Sequence, residues 1–328
     1  MTGAAVTYRE APVFLESGED SLFAIVTVPA RGRATAGLIV LPGGATPLTT
    51  NRNRLSVRIC RALAREGYAA MRLDYHGTGD STGVLDQIRL DQPVVEDVAA
   101  GVAYLRSIGV ERVALAGSCY GARNALETAA ALPEVSEVIM IAPSTLDYVL
   151  GERGGVNRAK KWSLGRYAIE ALRPRTIAGV FSSRKRRSYG IYARAKMKEM
   201  RRKLPGRQAD ATGSEAEMDA SPGFERAMRT LADRGAPVLF VYGGEDGFYG
   251  EFTRAADGRL GEILGGSTVS VRVLPGKIHG FTTVHAQDVA LEEIRGWAAR
   301  TRTDGSTEPI GEPEAVPALD LPDRAAEG

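Results

Sequence analysis

The chain predicts an α/β fold built on a mostly parallel sheet with helices on its faces, and three observations carry that expectation. Apolar runs alternate with stretches of helical periodicity, as in residues 37–41, 52–66 and 69–73, and strand-helix-strand alternation implies parallel strands joined by crossover helices. The runs Gly37-Leu38-Ile39-Val40-Leu41 and Val138-Ile139-Met140-Ile141-Ala142 show no polar alternation, which suits strands covered on both faces. Finally, Val113-Ala114-Leu115-Ala116 runs into Gly117-Ser118-Cys119-Tyr120-Gly121 and then at once into the helix-prone segment 122–126.

Composition sets the outer limits. The 328 residues, 44% hydrophobic, allow one large α/β domain with an insertion, or two smaller domains, around a substantial core. Two cysteines provide no disulfide framework and suit a reducing compartment. Residues 1–10 lack a basic stretch followed by an apolar run, and no segment approaches the roughly 20 apolar residues that span a bilayer. A cytoplasmic protein without a transmembrane segment is the expectation.

In chain order, residues 11–15 and 22–28 read as strands of a hairpin around Ser17-Gly18-Glu19-Asp20. Strand 37–41 ends in Pro42-Gly43-Gly44, a turn signal. Leu55, Ile59, Ala62 and Leu63 give 52–66 a helical period, with Gly67 at the C-cap. Cys60 sits on that stripe and reads as core packing. Strand 69–73 precedes Asp74-Tyr75-His76-Gly77-Thr78-Gly79-Asp80-Ser81, and helix 94–108 leads to the strand at 113–116. Past strand 138–142 the alternation stops. From 151 to about 235 no strand-helix rhythm appears, until strand 237–242 resumes it. A structureless loop of that length is uncommon inside a compact domain, so the insertion should contain helices. One is a stripe of Tyr189, Ala193, Met197, Met200 and Leu204. Strand 269–274 and helix 286–299 close the fold. Residues 303–328, rich in Pro, Glu, Asp and Gly, read as a disordered acidic tail.

The turn at 117–121 decides the chemistry. A strand that reverses directly into a helix exposes its central residue, and only glycine avoids a clash two positions to either side. With Gly117 and Gly121 flanking, that residue is Cys119. Ser118 is the alternative, but its neighbours two away are Ala116 and Tyr120, and a tyrosine would collide with the turn. The pattern resembles the nucleophile elbow of the α/β-hydrolase superfamily, in the cysteine form of dienelactone hydrolases and of hydrolases associated with the exosortase system. Residues 74–81 are similar to the Asp-x-Arg-Gly-x-Gly-x-Ser loop of that superfamily, with His76 in place of arginine. Gly243-Gly244-Glu245-Asp246 resembles the turn that carries the acid of its triad, with Asp246 in that place and Glu245 as the alternative. Pro275-Gly276-Lys277-Ile278-His279-Gly280-Phe281 looks like the turn around its histidine. Of the three histidines, His76, His279 and His285, only His279 combines the chain order nucleophile, acid, histidine with a place directly after a strand.

The resemblance implies an α/β-hydrolase fold: a core of residues 1–145 and 236–302, a helical cap at 146–235, and the tail. It implies a Cys119, Asp246, His279 triad, and an oxyanion hole made by the backbone N–H groups of Gly44 and Tyr120. Such a site forms an acyl-cysteine from an ester or thioester, resolved by water in a hydrolase or by another nucleophile in an acyltransferase or cyclase. A binding protein that keeps the scaffold without the chemistry is the alternative of another class. No metal-ligand cluster and no glycine-rich phosphate loop with a lysine appears, so no cofactor is implied.

Charge adds a partner. Between Glu152 and Arg207 there are eighteen Lys or Arg against Glu152, Glu170 and Glu199, eighteen minus three giving fifteen excess positive charges in a chain of net charge +2. Sparse aromatic residues argue against nucleic acid. A basic amphipathic helix could meet an anionic membrane surface. An acidic acyl-carrier protein or acyl-CoA fits best, since either presents a thioester together with negative charge.

Overall fold

Eight strands form one sheet in the order β1-β2-β4-β3-β5-β6-β7-β8. The computed structural model describes residues 7–43, 49–85, 87–147, 220–265, 268–281 and 283–303. β1 (Tyr8–Ser17) and β2 (Asp20–Pro29) are the expected hairpin, closed where Gly18 takes φ 59°. β2 runs antiparallel to β4 (Ala69–Leu73), and β4 pairs in parallel with β3 (Ala36–Leu41). From there β5 (Arg112–Ser118), β6 (Val135–Ile141), β7 (Val238–Gly243) and β8 (Val269–Leu274) extend the parallel sheet. The carboxyl ends of β3 to β8 therefore share one edge, where the loops of an open parallel sheet build sites.

Helices cover both faces because successive residues of each strand point to opposite sides. Leu38, Val40, Ala70, Ala116, Ile139 and Val241 pack with α1 (Leu55–Arg65) and α7 (Val284–Thr303) through Leu63, Ala290 and Ile294. Ile39, Leu41, Met71, Leu115, Met140 and Phe240 face the other way. They meet α2 (Val95–Ser107), α3 (Tyr120–Ala131) and α4 (Pro222–Asp233) through Val98, Leu126 and Phe224. Each of the larger side chains, the leucines, isoleucines, valines, methionines and phenylalanines, contributes about 1.5–3 kcal/mol on burial. Cys60 is fully buried on α1.

Two elements differ from the sequence reading. The helix expected over 52–66 begins as a 3-10 turn, Arg52–Arg54, because Asn53 and Arg54 take φ 50° and 60° and delay α1 until Leu55. Within the expected insertion, α4 belongs to the core layer. Its Ser221 cap accepts from the Phe224 N–H, Pro222 occupies the first turn, and Phe224, Ala227, Met228 and Leu231 are buried. Residues 148–219, which include the stripe from Tyr189 to Leu204, lie outside the described residues, as do Gly44 and residues 304–328.

Candidate active site

Cys119 stands between β5 and α3 with φ 51° and ψ −113°, a conformation that side chains rarely adopt. Its N–H donates to the Ile141 carbonyl at 3.2 Å, and its own carbonyl accepts from the N–H groups of Ala122 at 3.1 Å and Arg123 at 3.2 Å. The turn is tight. A Cβ on Gly117 would lie 2.2 Å from the Gly121 backbone, and one on Gly121 would lie 2.3 Å from the Leu41 carbonyl oxygen. Ser118 is the last residue of β5, in register with Ile141. Tyr120 opens α3, so its N–H is among the first four that have no partner within a helix. Its ring is buried edge-on to Tyr75 at 5.7 Å, and burial raises its phenol pKa to about 12.

The chain after β3 passes against this turn. A Cβ on Gly43 would fall 1.9 Å from the Ser118 carbonyl oxygen. The Tyr75 hydroxyl donates to the Pro42 carbonyl at 3.1 Å, and the Thr49 N–H donates to Asp74 Oδ1 at 2.6 Å. Two consecutive residues after β4 thus hold the described residues on either side of 44–48.

Asp246 caps α5 (Gly247–Ala256, followed by the short α6, Arg259–Leu264) directly after β7 and is buried, whereas Glu245 is exposed. The Asp246 carboxylate accepts from the N–H groups of Gly243 at 3.0 Å, Ile278 at 3.3 Å and His279 at 3.1 Å to both oxygens. It therefore fixes the turn that carries His279 and acts on the imidazole through its charge. The Phe248 ring stands edge-on to the His279 ring, centroids 4.5 Å apart. His279 is exposed at the surface, but the protein around its ring still pulls its pKa below the usual value, opposed by the charges of Asp246 and Glu251. Solvent on the open side limits that shift.

The other sequence candidates lie elsewhere. His76 pairs through Nδ1 with the buried Asp97 of α2 at 2.8 Å, and Ser17 donates to the same carboxylate at 3.0 Å, so this cluster ties the hairpin to α2. His285 is exposed in the first turn of α7. Sequence reasoning passed over Glu251, a buried carboxylate on α5, and Arg123, 1% exposed one turn into α3. Neither stands in a recognisable motif. Among the described residues, no group of three or more His, Cys, Asp or Glu could hold a metal ion, and no helix is long and apolar enough to cross a membrane.

A mostly parallel eight-stranded sheet with a strained turn after β5 and an acidic turn after β7 defines an α/β hydrolase. Residues 52–283 match the family described as serine aminopeptidase, S33, and the chain belongs to that family. The Pyrococcus furiosus esterase Pf2001 superposes with a TM-score of 0.56 at 14% identity, over 89% of this chain and 93% of its own. The proline iminopeptidase of Mycobacterium smegmatis gives 0.52 at 18% identity, over 90% and 100%. Both likenesses are of fold alone. The quorum-quenching protein AidA of Acinetobacter baumannii (strain MDR-ZJ06) is 37% identical over 99 residues, 29% of this chain, and the match spans 32% of that relative's length.

Proposed function

We propose that the protein is an acyl hydrolase in which Cys119 forms a covalent acyl-enzyme from an ester or thioester. The observation that carries this reading is the positive φ of Cys119 at the strand-to-helix turn, which supports the cysteine over its serine neighbour. His279 takes the thiol proton, and the sulfur forms a bond to the substrate carbonyl carbon. The oxygen becomes an oxyanion held by the N–H of Tyr120 and, by the family resemblance, that of Gly44. The carbonyl re-forms as the bond to the leaving group breaks, and His279 returns the proton to that group. Water then repeats the cycle on the acyl-cysteine and releases the acid. An acyltransferase or cyclase would resolve the same intermediate with a different nucleophile. The description of the family as serine aminopeptidases adds an amide as a third substrate class.

The test is intact-protein mass spectrometry after exposure to acyl thioesters, esters and aminoacyl amides. Acylation is expected at Cys119, with the mass increment lost in Cys119→Ala and kept in Ser118→Ala. Cys60 stays silent in the folded protein, since burial lifts its thiol pKa to about 12. Loss of the adduct in Ser118→Ala, with Cys119→Ala still acylated, would transfer the role to the serine. No adduct with any donor would leave a binding protein on a hydrolase scaffold.

A further inference from the structure

Two turns beside the carboxyl edge of the sheet take backbone conformations that their own residues disfavour, and one buried amide bridges them. Phe281 has φ 46°, a region in which a bulky residue is an outlier, and its side chain is packed away in the core. The turn that leads into α1 holds Asn51 at φ 55° together with the positive φ of Asn53 and Arg54. Such backbone persists only where its surroundings over-determine it. Gln287, the fourth residue of α7, is 0% exposed and reaches both turns. Its Nε2 donates to the Phe281 carbonyl at 3.0 Å and to the Arg52 carbonyl at 3.4 Å, while its Oε1 accepts from Arg58 Nη1 at 3.4 Å. Two carbonyls at one end of the amide and a guanidinium at the other fix which way it faces. Arg58 is itself paired with Asp288, the next residue of α7.

His279 lies between two anchors. On one side the Asp246 carboxylate accepts from the N–H groups of Ile278 and His279, and the Phe281 N–H closes the turn on the Ile278 carbonyl at 3.0 Å. On the other side the Phe281 carbonyl is taken by Gln287. Ile278, Phe281, Ala286 and Ala290 belong to one apolar cluster, where a carbonyl deprived of its donor would be costly. We propose that Gln287 is a positioning residue for His279: it fixes the far end of the histidine's turn through the Phe281 carbonyl, and registers that turn against the chain entering α1 through the Arg52 carbonyl. The inference rests on the reading of His279 as the base that takes the Cys119 proton. A turn anchored at one end alone lets the ring drift from the thiol, and a misplacement of about 1 Å can cost about 100-fold in rate.

The experiment measures acylation of Cys119 by p-nitrophenyl acetate, read as first-turnover release of p-nitrophenolate, on protein shown to be folded by circular dichroism. Gln287→Met, which keeps the length and removes donor and acceptor, is expected to lower the maximal rate about tenfold. The half-saturating ester concentration should stay at the wild-type value, the pattern of an interaction felt only in the transition state. Gln287→Asn, which draws the amide back from both carbonyls by one methylene, is expected to fall in the same direction and decides the matter if the methionine variant does not fold. The pair with His279 separates positioning from mere loss of structure. In a His279→Ala background the Gln287 substitution should slow the residual acylation no further. A wild-type rate in both Gln287 variants, or a tenfold loss that persists without the histidine, would overturn the proposal while leaving the triad intact. Failure of the underlying reading looks different, because His279→Ala would then acylate as fast as wild type, and the inference would fall with it.

Discussion

Cys119 and Ser118 differ by one place in the chain and by one dihedral. The serine closes a strand in ordinary register, and the cysteine takes φ 51° on the turn beyond it. What permits that turn is the missing side chain at Gly117 and Gly121, where a methyl would meet backbone at 2.2 Å and 2.3 Å. Gly121→Ala should therefore cost about 1–3 kcal/mol of stability, read as a lower denaturant midpoint, and slow acylation of Cys119 along with it. A midpoint equal to wild type would mean the turn yields freely. The glycine spacing was legible in the sequence because close packing at a turn leaves a residue type behind as its trace. Glu251 was not legible: a glutamate in a helix takes its meaning from what the helix faces, and no local pattern records that.

At the scale of elements, β4 lies at the boundaries expected from its apolar run, since a strand buried on both faces announces itself by composition alone; β8 also spans its expected residues, although as the last strand of the sheet it is largely exposed. α4 was hidden in a long span without rhythm, and what docks it is a buried cation on α3. Arg123 donates to Asp147 Oδ1 at 2.9 Å and Ser221 Oγ at 3.3 Å, pairs with Glu127 at 3.5 Å, and lies over the Phe224 ring at 5.3 Å. Ser221 also donates to Asp147, and its N–H to the Thr145 carbonyl, so one side chain gathers the described residues on both sides of 148–219. Arg123→Ala should destabilise by about 3–5 kcal/mol, because it strands partly buried carboxylates without their cation. Arg123→Met with Asp147→Asn and Glu127→Gln should recover part of that loss in chemical denaturation. If the single alanine variant unfolds at the wild-type midpoint, the cation is not what docks α4.

The whole molecule was legible as a class before its strand order was, because crossovers that place β4 between β2 and β3 leave no local mark in the chain. Its charge distribution, by contrast, is read from the sequence directly. The stretch from Glu152 to Arg207 carries fifteen excess positive charges and the whole chain +2, so the remainder carries 2 − 15 = −13. Such a separation projects a field that concentrates anionic partners at the basic segment. An acyl thioester borne by an acidic carrier protein would use that field, whereas a short neutral thioester would not. Acyl transfer from the carrier should therefore slow steeply as salt rises, since exposed charges are screened beyond about 10 Å at 0.1 M. The same series with the uncharged donor should be nearly flat. Reversing Arg184, Lys185, Arg186 and Arg187 to glutamate removes eight units of charge difference, two for each of four residues, and should flatten the carrier's salt series while leaving the neutral donor unaffected. Equal salt dependence for the two donors, or a reversed variant as fast as wild type with the carrier, would end the docking reading and leave a small neutral ester or thioester as the substrate.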